Sequence, residues 1–213
     1  MTNMKNLLGV STIQGFLPPL PSIRIIHPVQ GEGQVPLKWL QIGTEYLGGE
    51  ALSCLLYSVR QHRELQEDSP SGTMRVCYSL DGVKPHEGAV RPQSLTCADC
   101  PMIGTCDFVH TVFIQDEHSG LAGLWALRGM AANRFAQFLS VFSSDKVRKE
   151  AKFPLRVTVR PVLVSAQRRL FTVPQFGVNS STRLSEKERE TAIEVLQDRY
   201  DLKRLQQLAS IEE

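Results

Sequence analysis

The sequence Cys97-Ala98-Asp99-Cys100-Pro101, followed by Cys106, decides how the middle of this chain is expected to fold. Two cysteines three positions apart can reach the same tetrahedral metal ion, and Cys106 supplies a third thiolate after a short loop. Outside oxidising compartments, clustered cysteines are more typical of a metal site than of disulfides. We therefore expect a structural zinc ion, Zn2+, at this C-x2-C turn, which we call the knuckle.

The fourth zinc ligand has two candidates, and the sequence leaves both open. Cys77 lies in a strand-like run just before the turn Asp81-Gly82, and it would make the site all-cysteine. His110 would instead give three cysteines and one histidine. Thiolates bind zinc strongly and a strand cysteine would tie a hairpin to the knuckle, so Cys77 is preferred. Unrelated thiols, or a regulatory disulfide between Cys97 and Cys100, are the readings without metal.

Short strand-like segments surround the cysteines. Strands are predicted near residues 23–27, 39–42, 74–79, 108–114 and 153–164, with a hairpin partner for the last at 168–173. Residues 51–60 fit a buried strand or a turn of helix, and their periodicity does not decide between the two. Polar residues 61–72 end in Ser69-Pro70-Ser71-Gly72, which predicts a turn.

Two helices are expected as well. Apolar residues recur at helical spacing from Leu124 to Phe142, which predicts a core helix over residues 121–142. Ser185 followed by Glu188 is a capping box and predicts the start of a charged C-terminal helix. The pattern as a whole indicates the α+β class: a β-rich, small barrel-like domain with a zinc knuckle, one core helix and a C-terminal helix.

Composition divides the chain into three parts. Residues 1–22 predict an extended, proline-stiffened arm, residues 23–182 the zinc-containing β-rich domain, and residues 183–213 the C-terminal helix. Hydrophobic residues make up 42% of the chain, which is typical of a globular protein. No apolar run approaches the roughly 18 residues of a membrane span. The first residues show no secretory signal, so we expect a cytoplasmic protein.

Catalytic patterns are missing from the sequence. It contains no phosphate-binding loop, nucleophile elbow or H-E-x-x-H motif. The zinc deaminase signature needs His-x-Glu before its cysteines, whereas this chain has His86-Glu87. His27, His62 and His86 are isolated and expected to be exposed, and Asp116-Glu117-His118 is expected to form a surface turn. We therefore do not expect an enzyme.

Basic residues cluster in one segment of a nearly neutral chain. The formal net charge is +2, but residues 146–169 carry eight Lys and Arg against one Glu. Such a segment often contacts phosphate, and a solvated surface explains it equally well. The candidate nucleic-acid contacts are Lys149, Lys152, Arg156, Arg160, Arg168 and Arg169. The candidate stacking aromatics, each equally able to lie in the core, are Trp39, Tyr46, Tyr57, Tyr78 and Phe171.

The run Cys77-Tyr78-Ser79-Leu80-Asp81-Gly82, a proline-bearing loop and the knuckle together resemble a group of phage and mobile-element proteins. The match is best over residues 70–110, and in that group a Ser-x-Asp-Gly run often precedes a zinc knuckle. Some members resemble single-stranded DNA-binding or replication-associated proteins. The resemblance therefore implies a non-enzymatic protein that binds nucleic acid, above all single-stranded DNA.

Two further functions are considered beside this one. An interaction subunit or inhibitor could dock on a larger nucleoprotein complex through the proline-rich arm and the acid-rich C-terminal helix. An enzyme that uses the metal is the third reading, and it would need an open coordination position.

Overall fold

The computed structural model describes residues 20–29, 33–70, 72–79, 83–87, 89–90, 94–144, 154–166, 169–178 and 184–200. Most of the predicted arm, the end of the C-terminal segment, and Lys149, Lys152 and Arg168 lie outside the described residues. In the ranges given above, no helix is both long and apolar enough to span a membrane.

The described residues form nine strands and two helices. In chain order they are β1 (Ile23–Ile25), β2 (Lys38–Ile42), β3 (Glu45–Gly48), β4 (Leu52–Ser69), β5 (Gly72–Ser79), β6 (Asp107–Asp116), β7 (Ala122–Leu127), α1 (Gly129–Ser144), β8 (Leu155–Ala166), β9 (Arg169–Val178) and α2 (Glu186–Arg199). Strands β1 to β3 form a small antiparallel sheet, and the other six form one curled, half-barrel sheet. The predicted α+β class is confirmed, with strands predominating.

Strand β4 organises the larger sheet because three strands pair with it, all antiparallel. Its start pairs with β8 over Leu52–Leu56, its middle with β6 over Cys54–Glu64, and its end with β5 over Arg63–Ser69. Register shifts at Leu56/Ser58 and Leu65/Gln66 mark bulges, which bend the strand.

The extent of β4 decides between strand and helix for residues 51–60, which their periodicity could not do. Residues 51–60 form strand rather than helix, since β4 begins at Leu52. The polar residues that follow also belong to β4, which continues to Ser69, and the predicted turn lies between β4 and β5, which begins at Gly72. Polar residues can stay in this strand because their backbone is paired with β6 up to Glu64 and with β5 from Arg63 to Ser69.

The predicted helix over residues 121–142 is wrong in its first part. Ala122–Leu127 is strand β7, paired with β6, and α1 begins only at Gly129. Gly129 has φ of 52°, a left-handed conformation that favours glycine, and it separates the strand from the helix. Leu124 and Leu127 fit a helical stripe in sequence, but they belong to hydrophobic clusters on opposite faces of the sheet.

Helix α1 packs into the open side of the curled sheet. Phe135 and Phe138 contact Phe176 of β9, with ring centroids 4.7 Å and 5.9 Å apart. Trp125 of β7 also reaches Phe176, at 5.7 Å, although β7 and β9 stand at opposite ends of the strand order. The curl therefore brings the two ends of the sheet together beside α1, and Trp39 of the small sheet is buried in the same core.

Helix α2 covers the other face of the sheet. Its predicted capping box is present: Ser185 accepts a hydrogen bond from the Glu188 backbone, and the Glu188 side chain caps the Ser185 backbone. Leu196 and Tyr200 pack in a cluster with Phe113 of β6. Phe113 lies between two residues of the α1-side core, so alternation along β6 turns it toward α2.

Substituting Gly123 by alanine tests the close packing of β7 against the chain before β1. A Cβ at Gly123 would lie 2.6 Å from the Pro21 carbonyl oxygen and 2.8 Å from the Ile23 side chain. We expect Gly123→Ala to lower the free energy of unfolding by about 1–3 kcal/mol, because the backbone must shift. Denaturant unfolding measures the change. Gly177→Ala on β9 is the matched control, since its Cβ would come no closer than 3.9 Å to Thr158. Equal stability of the two variants would contradict the argument.

Candidate metal centre and nucleic-acid interface

Four cysteines meet near the end of β5 and the start of β6. We call them the thiol cluster: Cys77, Cys97, Cys100 and Cys106. Cys77 is on β5 and pairs with Leu65 of β4. Cys106 immediately precedes β6, whose first residue, Asp107, pairs with Glu64 of β4. Cys77 and Cys106 therefore flank the same part of β4 from its two sides.

Backbone hydrogen bonds fold the knuckle into a tight turn. The Cys97 amide donates to the Val83 carbonyl at 2.7 Å, and the Cys100 amide donates to the Cys97 carbonyl at 3.3 Å. The Thr96 hydroxyl donates to the Asp99 carboxylate at 2.6 Å and accepts from the Asp99 amide at 3.2 Å. These bonds place Cys97 and Cys100 on one turn, as the C-x2-C spacing predicts.

The thiols of the cluster influence one another's ionisation. Burial raises the pKa of Cys77, and Cys97 and Cys100 raise it further. Burial also raises the pKa of Cys106, as do the other three thiols, while the Arg63 guanidinium lowers it. Cys77 and Cys106 thus lie close enough to the other thiols for repulsion between thiolates to disfavour their ionisation. A soft divalent cation would relieve this repulsion, because metal binding replaces the protons of its thiol ligands.

The four thiols of the cluster are suitable ligands for zinc, but their side chains are not arranged as a metal-coordination shell. All five cysteines of the chain are free thiols. Across the described ranges, no group of three or more His, Cys, Asp or Glu side chains is arranged to hold a metal ion. The zinc ion therefore stays a prediction, based on the identity and proximity of four soft ligands.

His110, the other candidate for the fourth ligand, lies elsewhere on β6. It follows Cys106 by four residues of extended chain, which is about 13 Å. Its side chain is 3% exposed and meets Phe135 of α1 edge-on, with ring centroids 5.3 Å apart. Burial lowers the pKa of His110, and the nearby His62 lowers it further. The fold places Cys77, and not His110, beside the other three cysteines.

Three of the predicted phosphate contacts lie among the described residues. Arg160 and Arg169 are exposed on the hairpin of β8 and β9. Arg156 is different: its Nε donates to both carboxylate oxygens of Glu117, at 2.8 Å and 3.0 Å, and its Nη2 donates to Glu188 of α2 at 3.3 Å. In this conformation two carboxylates balance the charge of Arg156.

The predicted stacking residues divide between core and surface. Trp39 is fully buried, and Tyr57 packs in the clusters between the sheet and α2. Tyr46 is 47% exposed, and Phe171 is half-buried. Tyr78 belongs to a surface stack near the thiol cluster. Only part of the predicted set is therefore placed to meet a base.

An exposed aromatic ring with a cation above it adjoins the thiol cluster. Phe108 of β6 is 42% exposed, and the Arg63 guanidinium lies 4.7 Å from the centre of its ring. The two residues are direct partners in the register of β4 and β6. The sequence does not reveal this pair, because strand alternation assigns Phe108 to the core and gives no register between distant strands.

A second stack follows directly after Cys77. The rings of Tyr78 and His86 stack with centroids 4.5 Å apart and planes 20° apart, and the Tyr78 hydroxyl lies 2.6 Å from His86 Nδ1. The Arg75 guanidinium lies 4.1 Å from the centre of the Tyr78 ring. The register places this stack on the opposite face of the sheet from Phe108, since Phe108 pairs with Arg63 and Tyr78 pairs with the next residue, Glu64. Rings and guanidinium planes of this kind are groups on which nucleobases stack.

His62 is buried, and its predicted exposure is wrong, whereas His27 and His86 are exposed as predicted. The His62 Nε2 lies 3.6 Å from the carboxylate of Glu64, and the Arg128 Nε donates to the same carboxylate. Burial raises the pKa of Glu64, but hydrogen bonds from His62 and Arg128 outweigh it and lower the pKa from 4.5 to about 2. The histidine is buried because it belongs to this ion-pair network between β4 and the start of α1.

Comparison with known proteins identifies no relative. No protein-family model matches the chain, and neither a curated protein nor a solved structure matches it. The resemblance to phage and mobile-element zinc-knuckle proteins therefore stays a prediction. Function has to be argued from the residues of the site, since a fold alone does not define it.

The lowered pKa of Glu64 makes part of the stability depend on pH. The folded protein keeps this carboxylate ionised down to about pH 2, whereas the unfolded chain protonates it near 4.5. Its contribution is thus fully present above about pH 5 and is lost as the pH falls toward 2. Glu64→Gln should remove roughly 3 kcal/mol of this pH-dependent stability. Urea unfolding at pH values between 5 and 2 measures it.

The control for this experiment is Glu45→Gln, at an exposed position on β3. We expect it to leave the dependence of the unfolding free energy on pH unchanged. If the free energy of unfolding of Glu64→Gln changes with pH in parallel with that of the parent protein, the Glu64 network contributes nothing to acid stability.

Proposed function

We propose that this chain is a non-enzymatic nucleic-acid-binding protein that prefers single-stranded DNA. The observation that carries the proposal is the exposed Phe108 ring beneath the Arg63 guanidinium, beside the thiol cluster. An unpaired base can stack on such a ring while the guanidinium contacts phosphate or extends the stack. Bases in a duplex are already stacked on their neighbours, so the surface favours single strands. DNA, and a phage or mobile-element origin, are what the sequence resemblance implies.

Exposed cations supply the electrostatic part of the proposed binding. Arg160 and Arg169 are exposed on the β8–β9 hairpin, and Arg75 is exposed on β5. The net charge of +2 is too small for a strong general attraction to nucleic acid. Binding would therefore depend on these local contacts, together with Lys149, Lys152 and Arg168 from the predicted set.

We also propose that one structural zinc ion joins the four cysteines of the thiol cluster. Four thiolates would close the tetrahedral shell and leave no position open for a substrate, which agrees with a structural role. The crosslink would hold the knuckle against β5 and the start of β6. It would thereby stabilise the two strands that carry Tyr78 and Phe108.

Metal analysis of the purified chain should find one zinc ion per molecule. Cys97→Ser and Cys77→Ser should each lose the metal and lower the melting temperature by several degrees, because the ion contributes to folding. Cys54→Ala should keep the metal, since Cys54 lies in the sheet core. His110→Gln should keep it as well, which separates the two candidates for the fourth ligand. A metal-free parent protein, or a Cys97→Ser variant that melts unchanged, would refute the zinc proposal.

Removing the Phe108 ring should weaken the binding of a labelled single-stranded oligonucleotide. We expect Phe108→Ala to raise Kd roughly 5- to 150-fold, which corresponds to the loss of about 1–3 kcal/mol of stacking. Phe108→Tyr keeps the ring and should bind like the parent protein. Leu37→Ala is the control because Leu37 is a 92% exposed apolar side chain that belongs to none of the predicted nucleic-acid contacts. Fluorescence anisotropy at several salt concentrations measures these affinities.

The same titrations contain a test of the electrostatic part. Affinity should fall with salt, and Arg160→Gln should reduce the slope of log K against log salt by about 0.7. Equal affinity for duplex and single strand would oppose the stacking mechanism. Absence of oligonucleotide binding, together with co-purification of a larger nucleoprotein complex, would favour an interaction subunit instead.

A further inference from the structure

The outer face of β8 is where α2 meets the predicted phosphate contacts. Burial alternates along the start of this strand, with Leu155, Val157 and Val159 facing the core. Arg156 and Arg160 therefore share the opposite face. Arg160 is exposed there, while the side chain of Arg156 is 19% exposed and bonded to Glu188 of α2.

Helix α2 is acidic, and few apolar side chains attach it to the sheet. Five acidic and three basic residues occupy the helix. The buried residues of the helix and its flanks are Leu184, Ala192, Leu196 and Tyr200. Polar attachments add to these, including the bond from Arg199 to the Ser119 carbonyl at 2.8 Å. A helix with so little buried apolar surface is expected to open at a lower free energy than the core strands.

The contact between α2 and the sheet is incomplete next to Arg156. A cleft of about 350 Å³ separates the two there, and its lining includes Leu55, Gln115, Glu117, Arg156, Glu188 and Thr191. Tyr57 and Phe113 lie under the same helix, with ring centroids 4.8 Å apart. Beneath α2 the sheet thus presents one cation and two aromatic rings, the groups that a single strand requires.

We propose that α2 is a displaceable cover, in which the Glu188 carboxylate occupies the position on Arg156 that a phosphate of bound single-stranded DNA takes. This inference rests on the proposed function and names its regulation. When α2 moves aside, Arg156 exchanges Glu188 for a phosphate and joins Arg160 on one face of β8. Glu117 stays hydrogen-bonded to Nε and holds the guanidinium in place. The acidic helix therefore lowers the affinity for nucleic acid until a strand displaces it.

The variant Glu188→Gln tests this cover without removing the helix start. Glutamine at this position can still make the capping box, and the change removes the carboxylate charge that faces Arg156 and the start of α2. Glu194→Gln is the matched control, because it makes the same change of net charge at an exposed position further along α2. Both are titrated with labelled oligothymidylate in anisotropy experiments over a series of salt concentrations.

We expect Glu188→Gln to bind about 2- to 5-fold more tightly than Glu194→Gln, the size of one partly exposed ion pair. Its slope of log K against log salt should equal that of Glu194→Gln, because Arg156 contacts one phosphate in both complexes. The double variant Glu188→Gln/Arg156→Gln should lose this gain in affinity. In the parent protein, amide hydrogen exchange in α2 should become faster when the oligonucleotide is added.

The outcomes separate this inference from the function on which it rests. Equal affinities of Glu188→Gln and Glu194→Gln, or unchanged hydrogen exchange in α2 on binding, would overturn the cover while nucleic-acid binding stands. Hydrogen exchange uses the parent protein, so it decides the question even where a variant does not fold. If neither the parent protein nor any variant binds oligothymidylate, the proposed function fails and the cover fails with it.

Discussion

Strand β4 pairs with β8 at its start, with β6 along its middle and with β5 at its end. A straight strand of its 18 residues would be about 60 Å long, more than a small domain can bury. The two bulges bend it, and the sheet built on it curls until Trp125 of β7 contacts Phe176 of β9. The register of β4 also positions both candidate surfaces: Cys77 and Phe108 are placed from its end, and Arg156 from its start. A change in this register would move each of these side chains to the opposite face of the sheet.

Charge pairing then decides which arginines a ligand can reach. Arg128 and Arg156 are each held by carboxylates of the fold. The Glu64 carboxylate that binds Arg128 is 1% exposed, and a buried charge without a partner is costly. Arg63 and Arg75 instead lie over aromatic rings at the surface, where the guanidinium keeps hydrogen-bond donors for another partner. The basic segment read from the sequence therefore splits into residues with quite different roles. Glu188 has two roles, since its side chain takes part in the capping box of α2 and in the ion pair with Arg156.

Most of the strands, and the start of α2, could be predicted because their signals are local. Alternation marks β8, and the side chains of Ser185 and Glu188 make the capping box within a single turn. The boundary between β7 and α1 could not be read in this way. Leu124 and Leu127 are three positions apart, which fits a helix, but the period-two burial of Ala122–Leu127 follows from its pairing with β6. The polar end of β4 could not be recognised as strand for a related reason, since pairing with its neighbours, and not its own hydrophobicity, holds it in the sheet.

The sequence by itself determined the local chemistry: the spacing of Cys97 and Cys100 on one turn and the cap that begins α2. Only the tertiary structure decided which distant groups meet these local features. The fold places Cys77 beside the knuckle, whereas His110 packs in the core. It also places the Arg63 guanidinium over the Phe108 ring and pairs Arg156 with Glu117 and Glu188. The physical reason is that turns and caps are made by hydrogen bonds between near neighbours in the chain. Cross-strand contacts and ion pairs depend instead on register and curl, which are properties of the whole sheet.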